Sequence, residues 1–250
     1  MRDRNKDSAY FSDNISFSTK AMLKRFEDTE QYPRVEGRPG RAHCLVAYAL
    51  QIVILRYSAG DEIQATKASV LQWVEAMELQ QRVLASLPPK HEDKVMYERV
   101  TLDMVYDALA MMAFAKALHF NVAETTRLVN AIGHPGEDAL IDEAARALGD
   151  AQRPVAQTCK FPKVYDPLLE VWRCDPSERP EKLLAFAKIW KKKIKPIYWS
   201  DSLNGADGAY FGYWCFDVAL AAMVLGIDDE KLRDDPYYPK DMVDAARKNE

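Results

Sequence analysis

The run AHCLVAYALQIVILRY, residues 42–57, is apolar almost all the way round a helical wheel and closes on Ser58-Ala59-Gly60. A helix of that kind has to be covered on several sides, so the rest of the chain must supply the elements that enclose it. Strands are poor candidates, because alternating runs of β-branched residues are missing and only 10 of the 250 residues are glycine. The surroundings repeat instead at helical spacing. The chain is therefore expected to be all-α, a multi-helix bundle of two packed helical halves.

Upstream, Ile15, Phe17, Met22, Leu23 and Phe26 predict a first helix over Ser12 to Phe26 with one buried face, followed by a turn through Pro33, Gly37, Pro39 and Gly40. Downstream, Asp61 is placed to cap a long helix carrying Ile63, Val70, Leu71, Val74, Met77 and Leu84, which Pro88-Pro89 stops. A fourth helix is expected from Asp93 to Leu118, and Asn121 with Glu124 has the form of a capping box for a fifth. Gly133-His134-Pro135-Gly136 is the natural boundary between an N-terminal domain over 1–132 and a C-terminal domain over 137–250.

Past it, Glu137-Asp138 opens a helix that runs to Leu148. Pro154, Pro162, Pro167 and Pro176 are expected to cut the chain into short pieces, before helices return over Pro180 to Ile194 and Tyr210 to Leu225. One echo runs at an offset of 107 residues: Tyr106 stands opposite Tyr213, and Leu118-His119-Phe120-Asn121 opposite Leu225-Gly226-Ile227-Asp228. Either the halves contain related helical hairpins, or two buried helices end before the same cap chemistry.

Little here suggests catalysis. His43, His91, His119 and His134 fall in different elements and make no metal-ligand pattern, and Cys44, Cys159, Cys174 and Cys215 show no Cys-x-x-Cys spacing. Neighbouring His43 and Cys44 point about 100° apart on a helix, which suits a core thiol better than a nucleophile and its base. No nucleophile elbow or phosphate-cradling loop is present. No catalytic residue, metal site or cofactor is expected.

The formal charge of −4 lacks the basic footprint of a nucleic-acid binder. The basic run Lys188 to Lys195 reads as the wet face of a helix whose Leu183, Leu184, Phe186, Ala187, Trp190 and Ile194 face the core. The apolar stretch from Cys215 to Ile227 is too short for a bilayer span, and the mixed-charge N-terminus lacks the core of a secretory signal, so neither membrane insertion nor export is expected. From Asp201 onward, eleven acids face five bases. Acids of that density, if exposed, attract a basic partner and speed its association.

The stretch DGAYFGYWCFDVALAAMVLGIDDEKLRDDPYYPKDMV, from Asp207, resembles the C-terminal domain of the PoNi-type immunity proteins, which neutralise PoNe-type DNase toxins of bacterial polymorphic toxin systems, type VI secretion among them. The matching pieces are Gly212-Tyr213-Trp214, Leu225 to Asp229, and Tyr237-Tyr238-Pro239 followed by Asp241 and Val243. Arg2-Asp3, Tyr10-Phe11 and Tyr57 to Asp61 look like the helical domain that precedes it in that family. The resemblance implies a cytoplasmic antitoxin without enzymatic activity, whose partner is a cognate nuclease toxin. Its contact residues are sought among the C-terminal acids Asp201, Asp207, Asp229, Glu230, Asp234 and Asp235. Core packing is the expectation for Tyr213 and Trp214. A helical-repeat scaffold and an all-α metal-dependent hydrolase are the competing readings. Direct binding of nucleic acid or membrane is not expected, and the sequence is silent on oligomeric state.

Overall fold

A computed structural model describes residues 1–205 and 210–248. Eleven α-helices occur among them, in chain order α1 Ser8–Asp28, α2 Arg38–Ala59, α3 Lys67–Ala85, α4 Glu92–Tyr97, α5 Leu102–Ala117, α6 Val122–Ile132, α7 Ala139–Ala147, α8 Pro162–Arg173, α9 Arg179–Lys193, α10 Phe216–Val224 and α11 Lys240–Arg247. The described residues contain no strand, and the fold is all-α. Two compact units result, Met1–Arg99 and Val100–Glu250.

In the first unit α2 packs against both α1 and α3, while α4 lies on α2 and α3. The run that had to be covered is covered in this way: Ala42, Leu45, Leu50, Ile52, Val53, Ile54, Leu55 and Tyr57 are all buried. By length and hydropathy alone the helical stretch Val35–Ala59 would suffice to cross a bilayer. Gly60 ends α2 in the left-handed region at φ +99°, and a Cβ there would lie 2.7 Å from the Met1 nitrogen. That close approach brings together two of the family-like pieces. The Arg2 and Asp3 N–H groups both donate to Ser58 O at 3.0 Å, and Arg2 Nη1 donates to Tyr57 O and Asp61 O.

Five local expectations change. Cys44, expected as a core thiol, is exposed on α2. Helix α1 buries Phe11, Ser18 and Met22, so its inner stripe is rotated from the expected one and leaves Phe17 64% and Leu23 47% exposed. Pro39 and Gly40 belong to α2, where proline in the first turn loses no helical hydrogen bond. Asp61 pairs with Arg56 at 2.6 Å rather than capping a helix, and a 3-10 turn over Ile63–Thr66 leads into α3. The single helix expected from Asp93 to Leu118 is two, because Thr101 caps a new one by accepting from the Met104 N–H.

The second unit is built on α5 and α10, which pack on each other and are apolar on nearly every face. Helices α6, α7 and α11 also lie against α5, while α7, α8, α9 and α11 lie against α10. Gly133 to Gly136 falls inside this unit. The physical reason is α5, whose apolar girth is enclosed by helices that all come after it in sequence. The capping box at Asn121 and Glu124 forms as expected. Pro162 and Pro167 do not cut the chain: both sit in α8, and Lys193 Nζ donates at 2.6 Å to Lys163 O, the acceptor that a proline at 167 leaves without its helical N–H.

The echo at offset 107 resolves into shared cap geometry. Leu118 and Leu225 have nearly identical dihedrals, His119 and Gly226 follow in the left-handed region at φ 51° and 62°, and Phe120 and Ile227 donate to the carbonyls five residues back. Both are Schellman endings. The likeness stops there, since Tyr106 lies on α5 whereas Tyr213 precedes α10 in non-helical backbone.

Candidate partner-binding surface

Helix α9 organises one surface of the second unit. Leu183, Phe186, Ala187 and Trp190 on one side of it, continued by Ile194, are buried as expected, and the positions around that stripe turn outward in three directions. Lys182 and Lys193 face α8, where they meet Glu170 and Lys163 O. On the opposite flank Lys191 Nζ sits 3.4 Å from the centre of the Tyr213 ring and donates to Ser200 O. Between them Lys188, Lys192 and Lys195 are exposed.

The Tyr213 flank is an aromatic assembly. Trp199 is buried 4.8 Å from Tyr106 and 6.1 Å from Tyr213, centroid to centroid, and Tyr237 lies 5.6 Å from Trp190 and 6.4 Å from Tyr213. Polar bonds fix the rings in place. Tyr106 Oη donates to Trp214 O at 2.8 Å, the Leu203 N–H donates to Tyr213 Oη at 2.9 Å, and the Cys215 N–H donates to Tyr237 O at 2.9 Å. Thus the pieces Gly212-Tyr213-Trp214 and Tyr237-Tyr238-Pro239 are joined directly. Tyr213 and Trp214 are each 6% exposed, in keeping with core packing, yet they do not head a helix. Residues 210–215 run as buried non-helical backbone with Gly212 at φ 117°, and α10 begins only at Phe216.

That assembly places two loops beside α9. One carries Tyr198, 62% exposed, and Asp201, exposed. The other carries Asp235, whose carboxylate accepts the Tyr237 N–H, together with exposed Asp234. Just before them the 3-10 turn Glu230–Leu232 packs against α9 and exposes Glu230. Asp201, Glu230, Asp234 and Asp235 are therefore borne by elements that contact α9 or its ring cluster. Asp207 lies outside the described residues.

Asp229 is of another kind. It is 2% exposed and accepts from Arg247 Nη1 at 2.5 Å and Arg233 Nη1 at 3.2 Å, while Arg233 also holds Asp244. Its carboxylate clamps the turn to α11 and offers nothing to a partner. The acidic tally shrinks accordingly. Of the eleven acids, Asp207 and Glu250 lie outside the described residues, and Asp217 and Asp229 are buried. With Asp229 and Asp244 neutralised by Arg233 and Arg247, six carboxylates face three lysines. The surface is acidic, but by half the margin the sequence suggests.

Beneath the surface lies a buried carboxyl that periodicity does not reveal. Asp217 accepts from Trp190 Nε1 at 3.2 Å and from the Val218 N–H at 2.9 Å. Burial pushes its pKa up to about 7, against the opposing pull of those hydrogen bonds. Further off, Asp142 and Arg153 form a buried pair at 2.6 Å, and Asp142 also accepts the Gly136 and Ala156 N–H groups. Among the described residues no three His, Cys, Asp or Glu side chains converge to hold a metal ion.

Residues 136–242 match the family model described as PoNe immunity proteins (PoNi), C-terminal. The resemblance read from Asp207 onward points to the same family. No curated protein matches the chain. Among solved structures, the crystal structure of protein PA2201 from Pseudomonas aeruginosa is similar with a TM-score of 0.72 and 16% identity, over 99% of this chain and 91% of that one. At that identity the likeness is one of fold.

Proposed function

We propose, starting from a second unit whose residues 136–242 match the PoNe-immunity domain, that this chain binds a cognate PoNe-type DNase toxin in the cytoplasm and neutralises it by stoichiometric association. An immunity role in general follows from that match, which is the observation that carries the reading. The toxin and the mode of block are the proposed part.

The surface around α9 supports it physically. A nuclease carries cations along the groove that receives the DNA backbone. Carboxylates at Asp201, Glu230, Asp234 and Asp235 are exposed or half-exposed and steer association with such a groove. Exposed Tyr198 supplies the aromatic contact area that interface hot spots favour. No step in this function needs chemistry from the chain itself.

The test is co-expression with the proposed cognate PoNe-type DNase toxin. Growth is expected to be rescued and the two proteins to purify together. Rescue without a complex would argue against neutralisation by binding, and no rescue would remove the antitoxin reading.

A further inference from the structure

The lysine face of α9 is left without a task by the fold and by acidic steering. Lys188 and Lys192 stand four residues apart on the outer face of α9, and exposed Lys195 follows in the turn just past the end of the helix. None of the three has an ion-pair partner among the described residues, whereas Lys182, Lys191 and Lys193 on the same helix are all engaged. Ile189, 40% exposed, adjoins them, and Tyr198 follows in the loop beyond Lys195. The turn Glu230–Leu232 packs on this same helix and brings exposed Asp228, Glu230 and Asp234 near it. Among the described residues no ion pair joins these lysines to those carboxylates.

A stripe meant for nucleic acid would be an odd neighbour for those carboxylates, since a duplex long enough to engage three lysines would run its phosphates past them. The second unit as a whole carries 24 acids against 19 bases, which also opposes a polyanion. A surface of two signs calls for a partner of two signs. A nuclease cleft has that character: carboxylates at its centre hold the divalent metal that activates the attacking water, and cations beside them hold the DNA backbone.

Resting on the toxin-binding reading above, we infer that the α9 stripe and the adjacent acidic turn form one bipolar contact surface for the catalytic cleft of the nuclease. Lys188, Lys192 and Lys195 pair with the metal-binding carboxylates and stand where the metal's charge would be. Asp228, Glu230 and Asp234 pair with the DNA-groove cations. Inhibition then competes with the metal as well as with DNA.

The experiment measures the affinity of the full chain for the purified nuclease domain of the proposed cognate toxin, stripped of metal and then with rising Mg²⁺. The wild type is expected to bind best without metal and to weaken as Mg²⁺ rises. Lys188→Glu, Lys192→Glu and Lys195→Glu together, with helicity checked by circular dichroism, are expected to weaken binding at least about tenfold and to abolish the Mg²⁺ dependence. The three Lys→Gln changes are expected to give the same trend at smaller amplitude. Wild-type affinity in the folded triple-Glu variant, or a wild type indifferent to Mg²⁺, overturns the lysine assignment while leaving the immunity reading in place. A wild type that fails to bind the nuclease at all overturns that reading first, and the assignment with it. Binding of a duplex oligonucleotide by the wild type, lost in the triple variant, overturns the assignment in favour of nucleic acid.

Discussion

The two units solve the same problem, an all-helical core, with different material. The first relies on three helices of 21, 22 and 19 residues, and apart from Asp3 the polar side chains it buries are uncharged. The second uses helices of 8 to 16 residues and holds them with buried polar groups: Asp138 capping α7, Asp142 with Arg153, Asp217 with Trp190, and Asp229 with two arginines. Long stripes tolerate a shifted contact, whereas a buried charge ties particular loops to particular helices. Loops fixed in that way are what a recognition surface requires, and the matched segment 136–242 lies entirely in the second unit.

The contrast is broken most severely at the buried pair. Asp142→Ala leaves Arg153, whose side chain is 3% exposed, without its carboxylate. The expected loss is about 3–5 kcal/mol of stability, read by chemical denaturation. Trp214→Ala removes a ring that is 6% exposed and is expected to cost about 3 kcal/mol, so any loss of toxin binding should come with a lower melting temperature. An unchanged melt with lost binding would move Trp214 from the core to the interface.

Asp217 gives a subtler handle. Its folded pKa of about 7 is above the ordinary carboxyl value because burial disfavours the charged form. Between roughly pH 4 and 7 the folded state holds a proton that the unfolded state has released. The group's stabilising contribution is therefore complete below about pH 4 and is lost as pH rises toward 7, at up to about 1.4 kcal/mol per pH unit. Tyr106 and Tyr165, the neighbouring titratable groups from α5 and α8, have hydroxyls driven well above their usual range by burial and stay neutral throughout. Asp217→Asn is expected to remove this slope, so that its melting temperature gains on the wild type between pH 5 and 7.5. A constant difference across that range would contradict the assignment. The smallest effect belongs to the first unit: Phe17→Ser, at an exposed position on α1, is expected to change stability by less than about 0.5 kcal/mol.

What was legible in the sequence follows the same division. The encircled helix at 42–57, its stop at Gly60 and the capping box at Asn121 follow from periodicity and local cap chemistry, and all are present. The break between α4 and α5 does not follow from periodicity, although Thr101 is a residue type that starts helices. Residues 210–215 look helical because a continuous apolar run does not distinguish helix from buried extended chain, and Gly212 was the one available sign. Asp229 illustrates why acidic counting overstates a surface. Nothing local shows that it is buried, because its partners Arg233 and Arg247 lie four and eighteen residues away and meet it only in the fold. Of the basic run Lys188 to Lys195, Lys188, Lys192 and Lys195 are solvent-facing as expected, whereas Lys191 and Lys193 are half-buried and engaged, a difference visible only in three dimensions.

The central claim is that this chain stops a nuclease by occupying it. The direct measurement is DNA cleavage by the purified toxin domain titrated with the full chain, with the mixture followed by size-exclusion chromatography. The account predicts that activity falls linearly and vanishes near one equivalent, with both proteins eluting as a complex. Undiminished cleavage at several equivalents, with the two proteins eluting separately, would contradict it.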